Sequence, residues 1–173
     1  MPQIQPTELP QHALSAPYQE QQAYLDCLTT EVAGQVSLAD YIEAFYTTPL
    51  FKLERRLLAL ARKPASDADA RALAQAETER FSAWTVEGRH PDQLLLRDFT
   101  GRTRSWLMVA SSGPLTTRLY FGSVVVPLAY NEAGEPRFGP LFGLLQSFHD
   151  RYSRGLLKAA AKAIGKRGPG TNR

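Results

Sequence analysis

Apolar and polar positions alternate loosely over residues 24–32 (YLDCLTTEV), a stretch rich in Thr, Tyr and Val, and this predicts a first strand that Gly34 ends. Ser37, with Asp40 three residues on, has the form of a capping box and predicts a short helix over 38–46. Thr48 followed by Pro49 is a second start signal, because a proline at the first helical position loses no needed N–H. The helix expected over 49–62 carries Leu50, Leu53, Leu57, Leu60 and Ala61 on one face and Lys52, Arg55, Arg56 and Arg62 on the other. Ser66 with Asp69 opens a third, Ala-rich helix over 67–79, expected at the surface.

From Phe81 the period changes to two. Strands are predicted over 81–87, 93–99, 102–110 and 116–128, separated by turn signals such as Thr100-Gly101 and Gly113-Pro114. Short turns between neighbouring strands make an antiparallel meander, not βαβ units. Gly122 inside the last strand points to a bulge or a close backbone approach. A polar loop follows over 130–137. A long helix is then expected over 138–164, with apolar residues from Leu141 to Ala163 recurring at intervals of three and four.

The expected fold class is therefore α+β: an antiparallel meander curved around a long C-terminal helix, with two or three helices inserted after the first strand. This order of elements resembles the helix-grip fold of the START and polyketide-cyclase-like superfamily, which implies a cavity between sheet and helix. The segments AFYTTPLFKLERRLL (44–58), TRSWLMV (103–109), RLYFGSVVVP (118–127) and FHDRYSRGLL (148–157) are similar to an uncharacterised family of bacterial proteins, mostly from proteobacteria. The resemblance covers about residues 24–162 and implies no catalytic residues, since that family carries no assigned chemistry.

The chain of 173 residues suits one domain, expected over 23–165, between a flexible or loosely docked N-terminal arm (1–22) and a basic flexible tail (166–173). Residues 158–173 hold five of the 20 basic residues and no acid, which leaves fifteen basic against 17 acidic residues before them. The basic character thus belongs to the tail. Contact with nucleic acid is one reading of it, and a solvated helix end against the helix dipole is the preferred one. The first 22 residues lack a basic start and an apolar core, so no secretory signal is read there. With one cysteine, Cys27, and no apolar run long enough to span a bilayer, the expected setting is the cytoplasm. No metal site and no cofactor are expected, because one thiol and three scattered histidines lack ligand spacing.

A two-residue turn at Thr100-Gly101 sets Arg97 opposite Arg104 and Leu95 opposite Trp106. Facing arginines repel unless an anion or a carboxylate such as Glu87 lies between them. Asp98, at the edge of the aliphatic face, is a candidate base, although an Asp there more often bonds the turn backbone. His149, on the border of the long helix's apolar stripe, is a candidate proton carrier or a structural histidine. Cys27 has no evident partner base. Trp84, Arg104, Trp106, Tyr120, Phe148 and Tyr152 are the candidate ligand-binding residues.

Three functions compete. The first is a binding module for a hydrophobic or amphipathic small molecule in the sheet–helix cavity. The second is a cyclase- or isomerase-type enzyme in which Asp98, His149, Tyr120 and Arg104 converge on that cavity. The third is an interaction protein with a basic nucleic-acid-binding tail. A homodimer is plausible because a meander leaves edges to cover.

Overall fold

The computed structural model describes residues 2–60, 62–139 and 142–167, without the side chains of 143–148 and 167. It is an α+β fold of helix-grip type. The sheet strands are β1 (Gln5–Pro6), β2 (Tyr24–Ala33), β3 (Arg80–Phe81), β4 (Trp84–His90), β5 (Gln93–Asp98), β6 (Thr103–Gly113) and β7 (Thr116–Val125). They form one antiparallel sheet in the order β1-β2-β7-β6-β5-β4-β3. The helices α1 (Leu38–Tyr46), α2 (Pro49–Leu60) and α3 (Asp67–Ala74) lie between β2 and β3 in sequence, and α4 (Phe142–Arg167) closes the chain. A two-stranded ribbon, β8 (Ala129–Tyr130) with β9 (Pro136–Arg137), sits in the segment expected to be a polar loop.

The start signals act as expected. Ser37 accepts from the Asp40 N–H, Thr48 accepts from the Phe51 N–H, and Ser66 and Asp69 bond reciprocally. The expected strand over 81–87 is two strands, because Ser82 turns the chain at φ 54° and brings Phe81 opposite Trp84. The β5–β6 register sets Arg97 opposite Arg104 and Leu95 opposite Trp106.

The inner face of the sheet carries Leu28, Leu94, Leu96, Leu107, Leu119 and Phe121, which pack with α1, α3 and α4 as the main core. The outer face is apolar too. Trp106, Met108, Leu95 and Cys27 form a second cluster, covered by Leu9, Ala13, Leu14, Ala16 and Tyr18 of the N-terminal segment. Residues 1–22, expected as a loosely docked arm, are thus described from residue 2 as a strap along the sheet. Its anchor is the buried Gln93. The Gln93 Oε1 accepts from the Leu14 N–H and the Trp106 indole N–H, both at 2.9 Å, and its amide donates to the His12 carbonyl at 3.0 Å. Both edge strands, β1 and β3, are two residues long and cover only part of the neighbouring β2 and β4.

Helix α2 departs from its expected orientation. Its inward residues are Phe51 and Arg55, while Leu53, Leu57 and Leu60 are exposed. Arg55, expected on the solvated side, is buried and pairs with Asp67, which also holds Lys52. The reason lies on the other side of the helix: Phe51 packs against Tyr46 and Phe81 and Arg55 pairs with Asp67, which turns that side in.

Gly122 is a close approach and not a bulge, since β7 keeps regular register with β2 and β6 around it. A Cβ there would lie 2.8 Å from the Asp26 carbonyl oxygen and 3.0 Å from the Trp106 ring. Gly122→Ala should therefore destabilise the fold by about 1–3 kcal/mol, read as a lower urea midpoint at unchanged slope. An unchanged midpoint would contradict this packing.

Candidate functional site

A cavity of about 390 Å³ lies between the inner face of the sheet and helices α1, α2 and α4. Phe45, Phe51, Phe121 and Leu156 form much of its apolar wall. The rings interlock: Phe45 meets Phe121 at 4.8 Å and Tyr46 meets Phe51 at 4.9 Å between centroids. Tyr24, Thr103, Val125 and Phe142 extend the wall along the end of the sheet nearest the β5–β6 turn.

The polar part of the site begins as one row across the sheet. Asp26 pairs with Ser123 and Ser123 with Ser105, so three polar side chains stand abreast on the inner face. His149 of α4 lies against this row. Its Nε2 is 2.8 Å from Ser123 Oγ, 3.3 Å from Ser153 Oγ and 3.4 Å from Asp26 Oδ2. Asp26 Oδ1 accepts from the Ser123 backbone N–H at 2.7 Å. The letters are those of a hydrolase triad, but the geometry is not. All three oxygens converge on one ring nitrogen, whereas a triad places the carboxylate and the nucleophile on opposite nitrogens. Ser105 is held by the Tyr46 hydroxyl at 3.2 Å.

The second polar group is Glu54 of α2, which accepts a hydrogen bond from the Tyr152 hydroxyl of α4. Burial pushes the Glu54 carboxyl above its ordinary value, and the Tyr152 hydrogen bond and the nearby His149 offset part of that. Burial, and then the charge of Glu54, push the Tyr152 phenol far up, so the tyrosine stays a donor. Trp84 completes the wall with a buried indole N–H that has no hydrogen-bond partner among the described residues.

The structure divides the residues expected from sequence. His149, Tyr152 and Trp84 line the cavity, and the Phe148 side chain lies outside the described residues. Trp106 and Tyr120 do not belong to it, because their positions put them on the outer face beneath the strap. Arg104 borders the cavity, but its guanidinium also turns outward. It pairs with Glu87 at 3.2 Å, bonds the Tyr18 hydroxyl at 2.7 Å and stacks 4.7 Å from that ring. Glu87 therefore relieves the Arg97–Arg104 opposition, and Arg104 locks the strap. Asp98 is a turn residue whose oxygens accept from the Arg102 and Thr103 N–H groups at 2.8 and 3.0 Å. The four groups proposed to converge for catalysis thus do not meet. Cys27 is buried on the outer face, and burial together with the Asp26 charge pushes its thiol up to about 12, which leaves it un-ionised near neutrality.

Asp26, Glu54 and Ser123 are site residues that the sequence pattern did not single out. The available signals were Glu54, the one acid of α2, and Asp26, one of two acids in the first strand. Among the described residues no group of three or more His, Cys, Asp or Glu side chains could hold a metal ion, and no helix is long and apolar enough to cross a membrane. Family models, curated proteins and solved structures contain no match to this chain.

A carboxyl raised by burial stabilises the fold below its ordinary value of 4.5, and that stability is lost as pH rises through its folded value. Glu54→Gln keeps an acceptor for Tyr152 and removes the charge. It should match the parent protein at about pH 4 and unfold at a higher temperature than the parent at about pH 8. An equal difference at both pH values would contradict a buried, costly carboxylate.

Proposed function

We propose that this protein is a binding module for an amphipathic small molecule held between sheet and α4. The carrying observation is the cavity of about 390 Å³, which falls within the size of ordinary ligand pockets and is walled mainly by aromatic and aliphatic side chains. Its few polar groups stand at separate points: Glu54 with Tyr152, His149 with Asp26 and Ser123, and the unpartnered Trp84 indole N–H. A ligand with an apolar body and one hydrogen-bond acceptor fits that pattern, because the acceptor would satisfy the indole N–H whose burial otherwise costs about 1–3 kcal/mol. The resemblance to the helix-grip superfamily points the same way, and the setting we propose is the cytoplasm.

One observation favours a second reading, an acid–base enzyme of isomerase type. Glu54 and His149 border the same cavity and lie close enough for the histidine's charge to favour ionisation of the glutamate. Two titratable groups at one apolar site could take and return a proton. The nucleic-acid reading draws on the tail alone, and its last residues, 168–173, lie outside the described residues.

Fluorescence titration with cis-parinaric acid and with N-phenylnaphthylamine tests the binding reading. Both probes should brighten and saturate at one site per chain. Val125→Trp, which fills one end of the cavity, should weaken probe binding by about tenfold or more, the loss of roughly 1.4 kcal/mol, while leaving the unfolding midpoint nearly unchanged. Equal affinity in the folded variant, or no probe binding by the parent chain, would overturn the reading.

A further inference from the structure

The face of α2 opposite the cavity has a different character. Leu53, Leu57 and Leu60 recur at spacings of four and three, so they form one stripe, and they are 55%, 62% and 83% exposed. Phe99, at the β5–β6 turn, is 63% exposed and continues the apolar surface beyond the end of α2, where the Lys63 ammonium lies 5.3 Å from its ring. Four large apolar side chains outside the core, at neighbouring points of one end of the molecule, are more than scattered surface leucines.

The rim of this surface is cationic. Arg56 lies on the α2 stripe itself, Arg62 and Lys63 follow the helix, and Arg102 lies in the same turn as Phe99. Arg56, Arg62 and Arg102 are exposed and make no ion pair among the described residues. The acids of the same segments are engaged elsewhere, Glu54 by Tyr152 and Asp98 by the turn backbone. The patch is therefore apolar at its centre and positive around it.

We infer that α2 and the β5–β6 turn dock this protein onto an anionic lipid bilayer. A helix with an apolar stripe and basic flanks lies in the plane of a membrane interface, its leucines below the headgroups and its cations among them. Lys and Arg near an anionic surface add attraction that falls with salt. A second copy of the chain is the weaker occupant, because a two-fold contact would set this basic rim against itself. The placement also suits the proposed function, on which its purpose rests. Glu54 and Phe51 on the inner side of the same helix line the cavity, so a docked α2 stands between bilayer and ligand site.

Co-sedimentation of the full chain with vesicles tests this. Vesicles containing phosphatidylglycerol should retain the protein, and phosphatidylcholine vesicles should retain much less. Raising the salt should release it. Leu57→Asp with Leu60→Asp, and separately Arg56→Glu with Arg102→Glu, should each lower retention by about tenfold or more. These exposed positions leave the cavity intact, so both variants should bind cis-parinaric acid like the parent, which separates failure to dock from failure to fold or to bind. Unchanged retention in either folded variant, or no retention of the parent, overturns the inference even where the probes bind. A concentration-dependent dimer abolished by the leucine substitutions, without vesicle binding, overturns it in favour of a second copy. Vesicle binding without probe binding sustains docking and removes the ligand reading alone.

Discussion

The antiparallel pairing of β2 with β7 is the contact on which the site depends. It joins residues from opposite ends of the domain, with Tyr24 opposite Val125 and Ala33 opposite Thr116. Three helices and four strands lie between them in sequence, so the pairing closes a long loop at a cost in chain entropy. Once formed, it creates the inner-face row of Asp26, Ser123 and Ser105 and gives Asp26 its backbone partner at Ser123. It also sets Cys27 and Trp106 on either side of Gly122, where only a residue without a Cβ lets the three strands lie at normal spacing over the indole.

The cavity is bounded by large aromatic rings that meet one another and touch the sheet floor at Phe121 and Ser105. Phe45, Tyr46 and Phe51 stack on each other and on Phe81 and Phe121, and the Tyr46 hydroxyl bonds to Ser105. Rings joined edge to face are rigid, and rigid walls do not collapse to fill a space beneath them. Polar groups at the floor reinforce this. A leucine in place of Ser105 or Ser123 would fill space, whereas a serine in the row leaves it. The same groups carry a cost: Glu54 is desolvated, and its hydrogen bond comes from a phenol and not from a cation. Sites that keep a carboxyl in such surroundings are commonly those that use it.

Local features were legible in the sequence where their cause is local. The helix starts at Ser37, Thr48 and Ser66 and the Arg97–Arg104 register follow from side chains a few residues apart. The element order, and with it the fold class, was legible for the same reason. The site was legible only in part. His149, Tyr152 and Trp84 could be named as polar or aromatic residues at the border of apolar stripes, but Asp26 and Ser123 meet through strands whose pairing no local signal reports. The faces of the sheet were misassigned for Trp106 and Tyr120 because both faces are apolar. Alternation then shows which residues share a face without showing which face meets α4. The strap over the outer face is the missing information, and its anchor, Gln93, reads in sequence as an ordinary polar residue at a strand start.

The orientation of α2 has the same origin. Hydrophobic periodicity identifies the most apolar face of a helix and assumes that this face turns inward. In α2 the packing of Phe51 on Tyr46 and Phe81, the ion pairs of Lys52 and Arg55 with Asp67, and the Glu54–Tyr152 hydrogen bond all lie on other sides of the helix. Together they hold the leucine stripe outward at a cost in exposed apolar area that the fold alone does not recover. In water that stripe stays exposed. A protein that trades water for lipid at that surface recovers the cost on docking, and the helix that covers the cavity then becomes the element whose environment the membrane changes.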